Sequence, residues 1–231
     1  MHDWDLSIIQ AMDVQRRLAS SVITTGEVSN PCYIAGVDMS FDRFTKTGTA
    51  AVVVLGYPEM TLKEVKTVTG KAEFPYVPGL LSFREAPLAL AAFEKLRITP
   101  DLVIVDGHGL AHPRRMGIAC HLGLFLDIPA IGCAKSRLYG SCEEPGEESG
   151  CISNLTDNDE IIGAVARAKT GVKPLYISVG HKISLENAIH WILECCRGYR
   201  LPEPSRLAHL AAGDNLPVPV SSPLRRAMCR S

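Results

Sequence analysis

Asp106 closes the aliphatic run Leu102-Val-Ile-Val105 and opens Gly107-His-Gly-Leu-Ala-His-Pro-Arg-Arg115. Four consecutive aliphatic residues leave no polar face for water, so the run reads as a buried strand with a carboxylate at its carboxyl end. In open α/β sheets ligands bind beyond that end, and Gly107 and Gly109 allow backbone to come close to one. The competing reading of Asp106 is a plain Asp-Gly turn. Asp38 repeats the arrangement near the end of the apolar segment Tyr33–Phe41. Glu85 is ambiguous: Ser82-x-x-Glu85 has capping-box spacing, but Pro87 would then fall beyond the first helical turn and remove a hydrogen bond. A helix starting nearer Glu85 would leave its carboxylate free at the helix mouth. Three carboxylates gathered at one sheet edge would form an oxygen-only set suited to Mg²⁺, with Mn²⁺ as a substitute, and not to zinc. Such an ion activates water and stabilises charge on an attacked phosphate. Lys135, Arg84, His112 and His209 would add positive charge or proton transfer around a phosphodiester.

A second chemical feature is the segment Phe74-Pro-Tyr-Val-Pro-Gly79, where Pro75, Pro78 and Gly79 exclude a helix interior and a central strand. They hold Tyr76 and Val77 in a stiff loop. An exposed aromatic there suits stacking on a base; the alternative is a tyrosine packed on its own domain.

The elements that must position these residues follow from periodicity. Apolar positions from Asp5 to Val22 predict an amphipathic helix. Strands are expected at 33–41, 50–55 and 61–69, the last two as an antiparallel hairpin. A helix with core positions Leu88, Ala92, Phe93 and Leu96 precedes the strand ending at Asp106. A further helix is expected over about 115–126 and a buried strand over 128–134, which delivers Lys135 to the same edge. Residues 140–160 read as an acidic loop. Beyond it come a hairpin (161–168 and 174–179), a helix capped by Ser184 and stopped by Gly198, and a short helix from Pro202 with Arg206 and His209 on one face. The fold class is therefore α/β, a central mixed sheet flanked by helices.

Length and composition agree with one catalytic domain over 1–212 and a basic, proline-rich tail, expected to be flexible, over 213–231. Hydrophobic content of 46% with 21% charged residues is ordinary globular composition. No apolar run is long enough to span a membrane, and the first residues lack a secretory pattern, so a cytoplasmic protein is expected. The eight cysteines have no zinc-ligand spacing and read as free thiols, with a Cys142–Cys151 bridge as the alternative. Net charge is −1, but seven acids between 143 and 160 carry no basic neighbour; without them the body is +6, which permits a polyanionic partner.

Six ordered blocks resemble the endonuclease V family: Ala35-Gly-Val-Asp38, Phe74 to Glu85, Val105 to Arg115, Gly132-Cys-Ala-Lys-Ser136, Val179-Gly-His181 and Leu201 to His209. The resemblance covers nearly all of the chain to about residue 212. It implies a ribonuclease H-like fold and a Mg²⁺-dependent endonuclease that recognises deoxyinosine, the product of adenine deamination, in DNA repair. Cleavage would fall at the second phosphodiester 3′ to the lesion and leave 3′-hydroxyl and 5′-phosphate ends. The resemblance makes Asp38, Glu85 and Asp106 the metal and water-activating carboxylates, places His209 near the ion and aims Lys135 at the scissile phosphate. Tyr76, within Pro75-Tyr-Val77-Pro78, would fill the gap left by a rotated base. The base pocket would use main-chain groups of Gly79, Leu81, Gly107 and Ile118, with Gly109, His112 and Gly117 close by, consistent with extrusion of the base from its stack. Val77 stands where many members have Ile, and nothing after residue 212 matches. Two alternatives accompany this reading: an endoribonuclease specific for inosine-containing RNA, and a lesion-binding module that does not cut. No protein partner is indicated.

Overall fold

The computed structural model describes residues 2–42, 45 and 47–216. Its strands are β1 (Tyr33–Phe41), β2 (Thr47–Gly56), β3 (Thr61–Lys71), β4 (Leu102–Val105), β5 (Ala130–Ala134), β6 (Ile152–Asp157), β7 (Glu160–Ala166) and β8 (Leu175–His181). Its helices are α1 (Ile8–Ala19), α2 (Leu81–Phe93), α3 (Ile118–Leu126), α4 (Leu185–Glu194) and α5 (Glu203–Ala212). Among the described residues the strands form one sheet in the order β3-β2-β1-β4-β5-β8-β7-β6. The three central strands β1, β4 and β5 are parallel and their neighbours antiparallel, so the sheet is mixed, as the sequence implies.

The central strands are apolar on both sides because helices cover both sides. Ile34, Leu55, Ile104, Ile131 and Ile177 face one layer, which contains Trp191 and Ile192 of α4 and Ala208 of α5. The alternating residues Ala35, Val37, Val52, Val103 and Val105 face α2 and α3 through Ala86, Ala89, Phe93 and Leu122. Gly36 governs how close α5 can lie: a Cβ there would stand 2.0 Å from the Pro204 carbonyl oxygen. Only glycine lets this helix rest against β1. α1 closes a smaller cluster, in which Ala11 and Val14 meet Phe74, Leu80 and Phe83.

Several boundaries differ from the sequence expectation. α1 is shorter, because Ser7 and Gln10 form a capping box that fixes its start. α2 begins at Leu81 and carries Pro87 in its interior. A proline there costs roughly 3 kcal/mol, which burial of Phe83, Ala86, Ala89, Ala92 and Phe93 offsets. Glu85 consequently lies in the second turn and is neither a cap nor at the mouth. α3 starts at Ile118, not near Arg115, because Arg115 has a left-handed backbone (φ 53°). The acidic segment 140–160 is not all loop: it supplies the edge strand β6, whose only fully buried side chain is that of Leu155. The seven described cysteines, Cys142 and Cys151 among them, are free thiols; Cys229 lies outside the described residues. After α5, the Asn215 amide donates to the Leu210 carbonyl (2.7 Å) and Leu216 packs on the core. The rest of the expected tail, 217–231, lies outside the described residues. Among those described, no helix is long and apolar enough to cross a membrane.

Candidate active site

Parallel pairing of β1 with β4 ends at Val37 and Val105, so Asp38 and Asp106 emerge side by side as the next residues of each strand. The Asp106 amide donates to the Val37 carbonyl (2.9 Å), which fixes that level. α5, seated on Gly36, brings His209 to the same point: its Nδ1 donates to Asp38 Oδ2 at 2.7 Å. Asp38, Asp106 and His209 each offer an atom within 4.8 Å of the others, a spacing that could hold a metal ion. The Lys135 ammonium, delivered by the end of β5, donates to Asp106 Oδ2 and lies 4.0 Å from Asp38 Oδ2.

Glu85 stands outside that three-residue group, contrary to an oxygen-only carboxylate set. It is near enough to feel it. Burial, then the negative charges of Asp38 and Asp106, push its carboxyl up to about 8. Asp38 is pushed up to about 6 by burial and by Asp106, against the pull of Lys135 and the hydrogen bond from His209. The site is thus short of positive charge.

Beside these groups is a cavity of about 250 Å³. Gly107 and Ser136 line it, while their chain neighbours Asp106 and Lys135 belong to the carboxylate site. Gly79, Leu81, His112, Gly117 and Ile118 line it too. Gly109 does not. It lies behind the wall, where a Cβ would meet the Val179 carbonyl oxygen at 2.0 Å, and its amide donates to Ser178 Oγ (2.9 Å). Two helices begin at this cavity, and neither has a side-chain cap: the N-cap residues are Leu80 for α2 and Gly117 for α3. Of their first-turn N–H groups, Phe83 donates to the Leu80 carbonyl (3.1 Å) and Ala119 to the His108 carbonyl (3.0 Å), which leaves Leu81, Ser82 and Ile118 as main-chain donors beside the partial positive charge of each helix start. Ser82 is no cap either, since its buried hydroxyl has no hydrogen-bond partner.

Val77 and Pro78 form the rim of this cavity, and Pro75 lines a separate depression on the other side of the loop. Between them Tyr76 is 72% exposed, which excludes the reading of a tyrosine packed on its own domain. Phe74 and Leu80, both buried, anchor the loop at its two ends.

Two of the cations expected around a phosphodiester have partners of their own, though the charge of Arg84 still pulls the Glu85 carboxyl down. Arg84 donates to the Phe74 carbonyl (3.1 Å) and stacks 4.5 Å from the Phe41 ring centre, bracing the aromatic loop. His112 Nε2 donates to the Gly79 carbonyl (2.9 Å) and its Nδ1 accepts from the Arg114 amide (3.1 Å). That pair of bonds requires the neutral ring, and burial lowers its pKa to about 4. His112 is therefore a strut, not a source of charge or protons. Arg206, three residues before His209, pairs with Glu203 (2.5 Å) and stacks on Tyr199. Sequence reasoning missed Gln15, Ser82, His108, Ser136, Arg137 and Leu138 of the cavity lining. His108 had a signal in its place between Gly107 and Gly109; Gln15, far away on α1, had none.

Residues 16–210 match the family model described as Endonuclease V. Among relatives, the endonuclease V of Dehalococcoides mccartyi (strain ATCC BAA-2100 / JCM 16839 / KCTC 5957 / BAV1) is 54% identical over 214 residues, 93% of this chain and 96% of that protein. The crystal structure of endonuclease V from Streptomyces avermitilis superposes with a TM-score of 0.87 at 38% identity, covering 92% of this chain and 94% of the other. That of Ciona intestinalis endonuclease V, in complex with a 24mer DNA containing an inosine followed by a ribo-adenosine, gives a TM-score of 0.77 at 28% identity, covering 90% and 97%.

Proposed function

The chain belongs to the endonuclease V family, a nuclease with the ribonuclease H-like fold, and from that membership we propose that it cuts DNA at deoxyinosine in repair of deaminated adenine. Hydrolysis falls at the second phosphodiester 3′ to the lesion and leaves 3′-hydroxyl and 5′-phosphate ends. The observation that carries this reading is the adjacency of an acid site and a cavity supplied with main-chain donors. Hypoxanthine presents acceptors at O6 and N7, which two uncapped helix starts can bond. Adenine turns an exocyclic amine donor to the same place, so donor would meet donor and adenine is rejected.

Asp38 and Asp106, with Glu85 near them, would hold Mg²⁺ or Mn²⁺, because carboxylates surplus to the local positive charge are the donors that hard ions favour, and His209 would stand beside the ion. When bound, the ion supplies positive charge to the attacked phosphate and lowers the pKa of water. Burial and the charges of Asp38 and Asp106 hold Glu85 protonated at neutral pH; with those charges offset by a cation bound beside them, Glu85 would release that proton and be able to accept one from the attacking water. Lys135 gives its ammonium to the scissile phosphate. His209, with Nδ1 engaged by Asp38, has Nε2 for the departing 3′ oxygen. Tyr76 fills the space left by the extruded base, with Pro75, Val77 and Pro78 holding it; Gly79, Leu81, Gly107, Gly117 and Ile118 enclose that base, and Gly109 keeps their wall thin. These residues belong to one catalytic domain ending at about residue 212.

The ribo-adenosine in the Ciona complex supports a second reading, inosine-containing RNA as substrate. End-labelled inosine duplexes of DNA and of RNA, each with Mg²⁺ and with EDTA, test both. The DNA reading expects Mg²⁺-dependent nicking of DNA immediately 3′ of the lesion's 3′ neighbour; silence on DNA with cutting of RNA selects the second. Binding without cutting of either would mean a non-catalytic lesion-binding module.

A further inference from the structure

The two helix starts that open into the base cavity belong to different segments, and one buried side chain ties them together. Gln15 of α1 is 1% exposed. Its amide nitrogen donates to the Gly79 carbonyl (3.0 Å), just before α2, and to the Met116 carbonyl (2.8 Å), just before α3. A carboxamide NH₂ has two hydrogens, and here each goes to one wall of the cavity. Arg114 fixes the other end of the amide. Its Nε donates to Gln15 Oε1 (2.6 Å) and its Nη2 to the Gly79 carbonyl (2.7 Å). With His112 Nε2 at 2.9 Å, the Gly79 oxygen accepts three hydrogen bonds.

That convergence exceeds what satisfying a single carbonyl requires, since an sp² oxygen has two lone pairs. It immobilises one peptide plane, at a residue whose φ of 78° and whose 2.9 Å clearance from Arg114 Nη2 to a hypothetical Cβ both favour glycine. Main-chain donors discriminate only if their spacing is fixed, because a base edge is read by hydrogen bonds with a narrow range of length and angle. We propose that Gln15, oriented by Arg114, is a positioning residue for lesion recognition: it sets the distance between the two pocket walls and so the fit of the inosine base. Gln15 lines the cavity wall, and its amide donors are used by the protein; it acts through the backbone it holds.

The inference rests on the inosine-pocket reading, and its test separates the two. Cleavage and binding are measured for wild type, Gln15→Met and Arg114→Lys on an inosine duplex and an undamaged duplex, well below the melting temperature of each protein. Gln15→Met keeps the side chain's length and removes both donors; Arg114→Lys keeps the charge and removes the fork. Wild type prefers the inosine duplex. In each variant that preference falls by roughly tenfold, the loss expected of a broken hydrogen bond to a fixed group. The fall appears as a raised KM on inosine, with kcat at saturation and affinity for undamaged duplex unchanged. A purely packing role would lower kcat and melting temperature together and leave the ratio alone, which overturns the inference. Equal loss on both duplexes in Arg114→Lys, meaning a general phosphate contact, overturns it as well. If Gln15→Met does not fold, Arg114→Lys decides alone. Wild type without preference for inosine overturns the pocket reading itself, and this inference with it.

Discussion

The carboxylate site and the base cavity occupy adjoining residues, Asp106 beside Gly107 and Lys135 beside Ser136, yet they are built on opposite terms. The first consists of side chains from β1, α2, β4, the end of β5 and α5 whose charges conflict: burial and mutual repulsion push Asp38 up to about 6 and Glu85 up to about 8. The second is held by hydrogen bonds that converge on the Gly79 carbonyl from Gln15, Arg114 and His112, although the Ser82 hydroxyl and the His108 Nδ1 in its lining have no partner. On the proposed reading, chemistry is placed where carboxylate charges conflict, and recognition where converging hydrogen bonds brace a cavity wall. Substitutions should divide along that line, lowering activity without stability in one region and lowering both in the other.

The largest expected effect is at Asp106. Asp106→Asn removes a charge from the crowded cluster and a ligand from the proposed ion site, so cleavage of the inosine duplex falls by about a thousandfold or more. Binding to that duplex persists, and the melting temperature without divalent ion does not drop. A variant that cuts at a comparable rate, or one that is markedly less stable, would remove the contrast. Gly109→Ala tests the other side. The added Cβ meets backbone, the Val179 carbonyl, at 2.0 Å, and backbone of a central sheet cannot move aside cheaply. Overpacking of this kind costs about 1–3 kcal/mol, so the melting temperature falls by roughly 2–12 °C, and lesion affinity falls with it. An unchanged melting curve would mean that the cavity wall is softer than its packing indicates.

How much of this was legible in sequence depends on whether the information was local. Asp38 and Asp106 could be found because an aliphatic run that ends in a carboxylate is a local pattern, and the register of β1 on β4 brings the two ends level. The two-sided burial of the central strands was legible for the same reason. Glu85 was harder: Pro87 argues locally for a later helix start, and burial of Phe83 and its neighbours overrides it. β6 was read as loop because its edge position buries almost nothing, leaving no apolar alternation to see. His112 lines the cavity as expected but is a neutral strut and not a source of charge, since a side chain's type does not name its partner, while the charge of Arg84 does act on Glu85. Gln15 was invisible: its partners Gly79 and Met116 lie 64 and 101 residues away, and a polar residue in an amphipathic helix reads as solvent-facing.

The smallest effect, and the one that sharpens the comparison most, is in pH. Asp38 and Glu85 have folded-state pKa values raised above their ordinary 3.8 and 4.5. Their contribution to stability is then fully present below those ordinary values and is lost as pH rises through about 6 and about 8. His112 has the opposite sign: lowered from 6.5 to about 4, its contribution is present above 6.5 and lost as pH falls toward 4. A divalent ion held as proposed would relieve only the first. The stabilisation by Mg²⁺ over EDTA should therefore be larger at pH 8.5 than at pH 5.5, by a few degrees of melting temperature, roughly 2–4 °C per kcal/mol for a chain of this size. Asp38→Asn should flatten that difference. His112→Gln should leave it intact while reducing the loss of stability between pH 6.5 and 4. A Mg²⁺ effect equal at both pH values would show that the carboxylates are not the groups relieved by the ion, and would dissolve the distinction between a site of conflicting charges and a braced cavity.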